Sequence, residues 1–149
     1  MFLILLVASV VTVLDVVTKM AVMTRMVEGQ AIPIIDGLLA LHYIRNSGAA
    51  YGLLSGQRWL LVTITAGVSA GLLWYARHAR SILERTALGV LLGGAVGNLI
   101  NRVLWGSVTD LIEIIPLSSI FQVFNMADIA ITFGVILFVW GTLCQPRTT

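Results

Sequence analysis

The chain has 149 residues, of which 58% are hydrophobic and only 11% charged, and its mean hydropathy is +0.98. Soluble domains carry roughly 25% charged residues, so the composition excludes an ordinary soluble protein and points to an integral membrane protein. A net charge of +2, scattered along the chain, offers no basic surface for nucleic acid, and the length suits one domain over 1–149.

Four stretches approach the roughly 20 apolar residues that cross a bilayer as a helix: 2–24, 59–76, 86–104 and 122–143. The first has no basic leading region and no small-residue cleavage site, and it carries Asp15 inside its apolar run, so it reads as a retained helix rather than a signal peptide. The segment 25–58 contains Pro33, a turn at Asp36-Gly37 and an apolar run from Leu38 to Ile44 that ends in "RNSG". That pattern predicts a short strand or small sheet at the membrane surface. The next link, "RHARSILER", concentrates Arg77, Arg80 and Arg85, whereas the link after the third helix carries Asp110 and Glu113 and no basic residue after Arg102. The positive-inside rule then places the Arg-rich loop and both termini in the cytoplasm, and 25–58 and 105–121 outside. Trp59 and Trp105 fall at the outer interface, and Trp74, Tyr75 and Trp140 at the inner one. The expected fold is an all-α membrane protein: four transmembrane helices with a small β-containing outer segment between helices 1 and 2.

The strong polar residues within the helices share one depth. Asp15 and Lys19 lie four residues apart on the first helix, where a pair offsets part of each charge's burial cost. Gly94, Asn98 and Arg102 recur at i, i+4, i+8 along the third, beside Asn101. In "FNMADIA", Asn125 and Asp128 fall one turn apart within the first two turns of the fourth. Asp110 lies just beyond the third. Buried polar side chains also serve as glue between membrane helices, but this many at one level predict a pocket that opens outward.

The acids suggest its chemistry. If loop 105–121 folds over the fourth helix, Asp110 and Asp128 come together, and two close carboxylates share a proton. One then serves as general base on a water while the other polarises a carbonyl. Spacing alone leaves open a second arrangement, with Asp110 on the surface and Asp128 paired to Arg102. Metal hydrolysis lacks ligands: His42 and His78 fall on opposite sides of the membrane, no HExxH occurs, and Cys144 is a lone cysteine read as an apolar filler near the inner end of helix 4. A Ser–Lys dyad is disfavoured because Ser9 is remote from Lys19 and Ser47 sits in a loop. "GGAVGN" lacks the ending of a phosphate-binding loop, so Gly93 and Gly97, like Gly67 and Gly71, are expected to permit close helix packing.

Five blocks, "DVVTK", "RNSGAAYG", "GGAVGNLINR", "VTDLIE" and "FNMADIA", occur in order along the chain and together resemble the lipoprotein signal peptidases, or signal peptidase II. The resemblance implies an intramembrane aspartic endopeptidase of the bacterial inner membrane. Such an enzyme removes signal peptides from prolipoproteins by cutting before a diacylglyceryl-modified lipobox cysteine. It implies Asp110 and Asp128 as the catalytic pair with Asn125 beside them. Asp15, Lys19, Asn46, Gly94, Asn98 and Arg102 would support the pair or line the substrate pocket. Globomycin-type cyclic peptides are implied as inhibitors, prolipoproteins and membrane lipids as partners, and no cofactor or metal. Where the family reads GNxxDR, this chain has "GNLINR", so Arg102 is expected to turn from the missing carboxylate to Asp110 or Asp128. Ile129 stands where the family often has serine. The reading kept beside this one is a non-enzymatic four-helix binding protein or small channel with a structural polar cluster. Another type of intramembrane aspartyl protease is disfavoured because the chain has no GxGD.

Overall fold

The computed structural model describes residues 1–143; Cys144, read as an apolar filler, lies outside the described residues. In chain order the elements are helix α1 (Phe2–Arg25), strands β1 (Ala31–Ile35) and β2 (Leu39–Asn46), helices α2 (Arg58–Tyr75) and α3 (Ile82–Trp105), strand β3 (Val108–Ile114) and helix α4 (Met126–Leu143). Short 3₁₀ turns occupy Ala50–Gly52, Ala76–His78 and Ile115–Leu117. All four helices are long and apolar enough to cross a membrane.

The helix α3 is central. Its most apolar window is 61% buried, against 17–22% in the other three helices, because α1, α4 and, over a smaller area, α2 all pack on it. Small residues make that approach possible. At Gly94 an added Cβ would lie 2.6 Å from the Ala127 carbonyl oxygen of α4, and at Gly97 it would collide with the Asp15 carboxylate of α1. Gly93 has the packing role expected of it, against Val11 and Ala8, whereas Gly67 and Gly71 of α2 meet nothing within 4 Å. The expectation for those two fails because α2 turns that face away from the bundle.

The first turn of α3 starts four residues earlier than expected. Ser81 caps it: the Ser81 hydroxyl accepts from the Glu84 amide, while the Glu84 carboxylate accepts from the backbone at Arg80 and Ser81. The Ser-x-x-Glu spacing was the available signal. At the other end Gly106, with φ of 80°, closes the helix in the left-handed conformation. The Arg58 guanidinium donates to the carbonyls of Arg102 and Val103, the second of which is an acceptor that the helix end leaves open.

The strands form one antiparallel sheet in the order β1-β2-β3. In the 25–58 segment, where a short strand or small sheet is expected, β1 and β2 form a hairpin that turns at Asp36-Gly37, with Gly37 at φ of 69°. The third strand was not expected. "VTDLIEI" reads as an acidic loop, yet it pairs with β2 from Asn46↔Val108 to Leu39↔Ile114 across a register shift. Tyr43 and Leu111 then pack on Val22 at the end of α1, which seats the sheet on one end of the helix bundle.

Candidate active site

The sheet end of α3 and the start of α4 bring the polar residues together. Phe124 pairs with β3: its carbonyl accepts from the amides of Leu111 and Ile112, and its amide donates to the Ile112 carbonyl. This pairing places Asn125 beside Asp110. The same asparagine begins α4, which starts at Met126 rather than at 122 because the Asn125 Oδ1 accepts from the Asp128 amide at 3.1 Å. In return the Asp128 Oδ2 accepts from the Asn125 amide at 3.2 Å. The two acids therefore meet at one asparagine, whose Nδ2 donates to Asp110 Oδ1 at 2.6 Å.

Three asparagine amides here are fixed in orientation by partners that can only donate or only accept. Asn125 must turn its oxygen to the Asp128 amide, so its nitrogen faces Asp110. Asn46 turns its oxygen to the Gly48 amide (2.9 Å), so its nitrogen donates to Asp110 Oδ2 (3.1 Å). Asn98 accepts from Lys19 Nζ (2.8 Å) and so donates to Asp128 Oδ1 (2.9 Å). Both oxygens of each acid thus accept at least one hydrogen bond.

Asp15 and Lys19 stand behind this layer, fully buried. Lys19 Nζ lies 2.7 Å from Asp15 Oδ2, and Asp15 Oδ1 accepts from the Ala127 amide at 2.9 Å. The carboxylate therefore satisfies an open donor in the first turn of α4, where the helix dipole favours negative charge. Removing one member would leave the other charge buried and unpaired, which costs about 3–5 kcal/mol. The bonds Ala127–Asp15–Lys19–Asn98–Asp128–Asn125–Asp110–Asn46 form one continuous chain across α4, α1, α3 and the sheet.

Arg102 does not pair with either acid, among the described residues. Its Nη2 donates to the Gly48 carbonyl at 2.9 Å, anchoring the loop after β2. The expected turn toward Asp110 or Asp128, and the alternative Asp128–Arg102 pair, are both absent: the guanidinium is drawn to Gly48, while asparagine amides bond the acids. Asn101, where a carboxylate was missed, accepts from the Thr109 amide at 3.0 Å and so pins β3 one residue before Asp110. Its Nδ2 is buried with no hydrogen-bond partner among the described residues.

Burial raises the Asp110 pKa, and the Asp128 charge adds to the effect; hydrogen bonds from Asn125 and Asn46 and the Lys19 charge pull it down, leaving it at about 6. Burial thus outweighs two amide donors. Both acids, with Asn46, Asn98, Arg102 and Asn125, face a cavity of about 820 Å³. Its remaining walls are largely apolar, with Ile64 and Val68 from α2 and Ile129 and Phe133 from α4, so the space lies between those two helices. Gly94 lies in the α3–α4 contact instead. Sequence reasoning missed Gln122, whose side-chain oxygen accepts from the Tyr51 amide at 2.9 Å, and the pairing of His42 with Glu113 at 2.8 Å. Nothing in the local sequence signals either contact. His78 is exposed, with its ring beside those of Trp74 and Tyr75. Among the described residues no group of three His, Cys, Asp or Glu is placed to hold a metal ion.

Residues 7–144 match the family model described as signal peptidase (SPase) II. A lipoprotein signal peptidase of Symbiobacterium thermophilum is 43% identical over 95% of both chains, and one of Geobacillus thermodenitrificans is 46% identical over 89% of this chain and 84% of its own. Two solved structures of a bacterial membrane enzyme, obtained by the in meso method, superpose with TM-scores of 0.88 and 0.86 at 34% identity. They cover 94% and 96% of this chain and 87% and 94% of theirs. The chain is a multi-pass membrane protein of the signal peptidase II family.

Proposed function

We propose that this protein is an aspartic endopeptidase that removes signal peptides from diacylglyceryl-modified prolipoproteins, cutting before the lipidated cysteine, with Asp110 and Asp128 as its catalytic pair. The observation that carries the reading is the meeting of both acids at Asn125, on the wall of an apolar cavity between α2 and α4. A signal peptide is an apolar segment already in the bilayer, so a cavity between two membrane helices suits its entry. Asp110 suits the protonated role, since burial raises its pKa. A protonated carboxyl keeps acceptor capacity for the asparagine amides while its O–H polarises the scissile carbonyl. Asp128 takes a proton from water as the water oxygen bonds to the carbonyl carbon. The tetrahedral intermediate then collapses, the C–N bond breaks, and the returned proton leaves on the cysteine amine.

The asparagines position this pair. Asn125 holds the acids together, Asn46 and Asn98 fix their outer oxygens, and Asp15 and Lys19 hold Asn98 and the start of α4. The sheet end of the bundle faces the outside of a bacterial inner membrane, both termini face the cytoplasm, and globomycin-type peptides compete for the same cavity. A cleavage assay on a lipidated prolipoprotein tests the reading: wild-type protein cuts, and Asp110→Asn and Asp128→Asn, folded to the same yield, do not. A structural cluster in a binding protein would tolerate Asp110→Asn.

A further inference from the structure

Asp110 faces two cavities. Besides the large apolar one, it lines a second of about 410 Å³, which also shares Asn46 and residues 121–123 with the first. The second has a different character: beside Ile44, Phe121 and Val123 it carries His42, Arg45 and Glu113 from the sheet, with Ser118 and Gln122, so it is more polar and charged than the first. Asp128 lines only the first. In the proposed substrate an apolar signal segment precedes the scissile bond, and the chain beyond the lipidated cysteine lies outside the bilayer, in water. The first cavity matches the former in chemistry and the second matches the latter.

We propose that the second cavity receives the residues following the lipidated cysteine, and that Glu113 makes it prefer a basic side chain there over an acidic one. This rests on the peptidase reading. The titratable and charged groups lining the cavity are His42, Arg45, Asp110 and Glu113. The Arg45 guanidinium stays charged but is held by neutral acceptors, with Nε on the Ser107 hydroxyl (2.9 Å) and Nη2 on the Trp105 carbonyl (2.7 Å), so it does not occupy Glu113. Glu113 is held by His42 through Oε2 alone, and its Oε1 carries no hydrogen bond among the described residues. The acid is therefore oriented and retains an acceptor for an ammonium or guanidinium. The His42 and Glu113 side chains are 24% and 21% exposed, so water screens the contact and the preference is about two- to fivefold.

The test uses purified full-length protein and two diacylglyceryl-modified prolipoproteins that differ only in carrying Lys or Glu at the second and third residues after the cysteine. In wild-type protein KM is about two- to fivefold lower for the Lys substrate, with kcat nearly equal. Glu113→Gln brings the KM ratio close to one, and Glu113→Lys inverts it. Because each result is a ratio between two substrates within one variant, partial loss of folded protein leaves it unchanged. A wild-type ratio of one, or a ratio that persists in both variants, overturns the assignment while leaving the peptidase reading intact. If wild-type protein cuts neither substrate, the peptidase reading fails and the assignment falls with it.

Discussion

Asn46 shows at the level of one side chain how the site is held. Its nitrogen donates to Asp110 Oδ2 because its oxygen is taken by the Gly48 amide. That bond favours the ionised acid. In Asn46→Ala the Asp110 pKa therefore rises, and the alkaline limb of kcat/KM moves to higher pH, while activity falls about 10- to 100-fold and folded yield changes far less. Equal losses of activity and yield would assign Asn46 a purely structural role. Asp110 itself gives a second prediction. Its pKa is raised from 3.8 to about 6, so between those values the unfolded chain has released a proton that the folded chain retains. Stability from this group is fully present below the unfolded value and declines as pH rises through the folded one, by roughly 3 kcal/mol in all. Asp110→Asn lacks that slope, so its melting temperature relative to wild type climbs from about pH 4 to about pH 6 and is level above. A constant difference across that range would mean that Asp110 is not buried in this way.

Among the elements, α3 carries the most information. Gly97→Ala forces a methyl group against the Asp15 carboxylate and should cost about 1–3 kcal/mol as overpacking, with activity lost alongside because Asp15 holds the start of α4. Gly67→Ala in α2 meets open space and should leave melting unchanged or raise it, since alanine is the better helix former by about 1 kcal/mol. Thermal melts of the two variants in the same detergent separate a packed helix from a peripheral one. The helices themselves were legible because each needs only an apolar run of sufficient length. The turn of the β1–β2 hairpin was legible at Asp36-Gly37. β3 was not, because a seven-residue strand carrying two acids looks like a loop until β2 and the pinning asparagine, Asn101, are in place. The start of α4 was misplaced for a related reason: Val123 and Phe124 extend the apolar run, but Asn125 caps the helix.

In the whole molecule, Asp15, Lys19 and the three asparagines form one support for two acids placed where an apolar cavity meets a polar one. Sequence spacing showed that the polar residues share a level. It could not show that amides rather than Arg102 reach the acids, since that depends on Gly48, Lys19 and the Asp128 backbone fixing which end of each amide points inward. The neutral double variant Asp15→Asn/Lys19→Met separates charge from packing. It removes both buried ions together, so the protein should fold with stability within about 2 kcal/mol of wild type. Its kcat should nonetheless drop, since Asn98 is no longer held as a donor to Asp128; a wild-type kcat would show that the support is not needed. The central claim is tested most directly by cleavage of a diacylglyceryl-modified prolipoprotein by wild type, Asp110→Asn and Asp128→Asn in detergent micelles, followed as a gel shift. Wild type should cut and neither variant should, at equal folded yield; cleavage by a variant at the wild-type rate would show that Asp110 and Asp128 are not the catalytic pair.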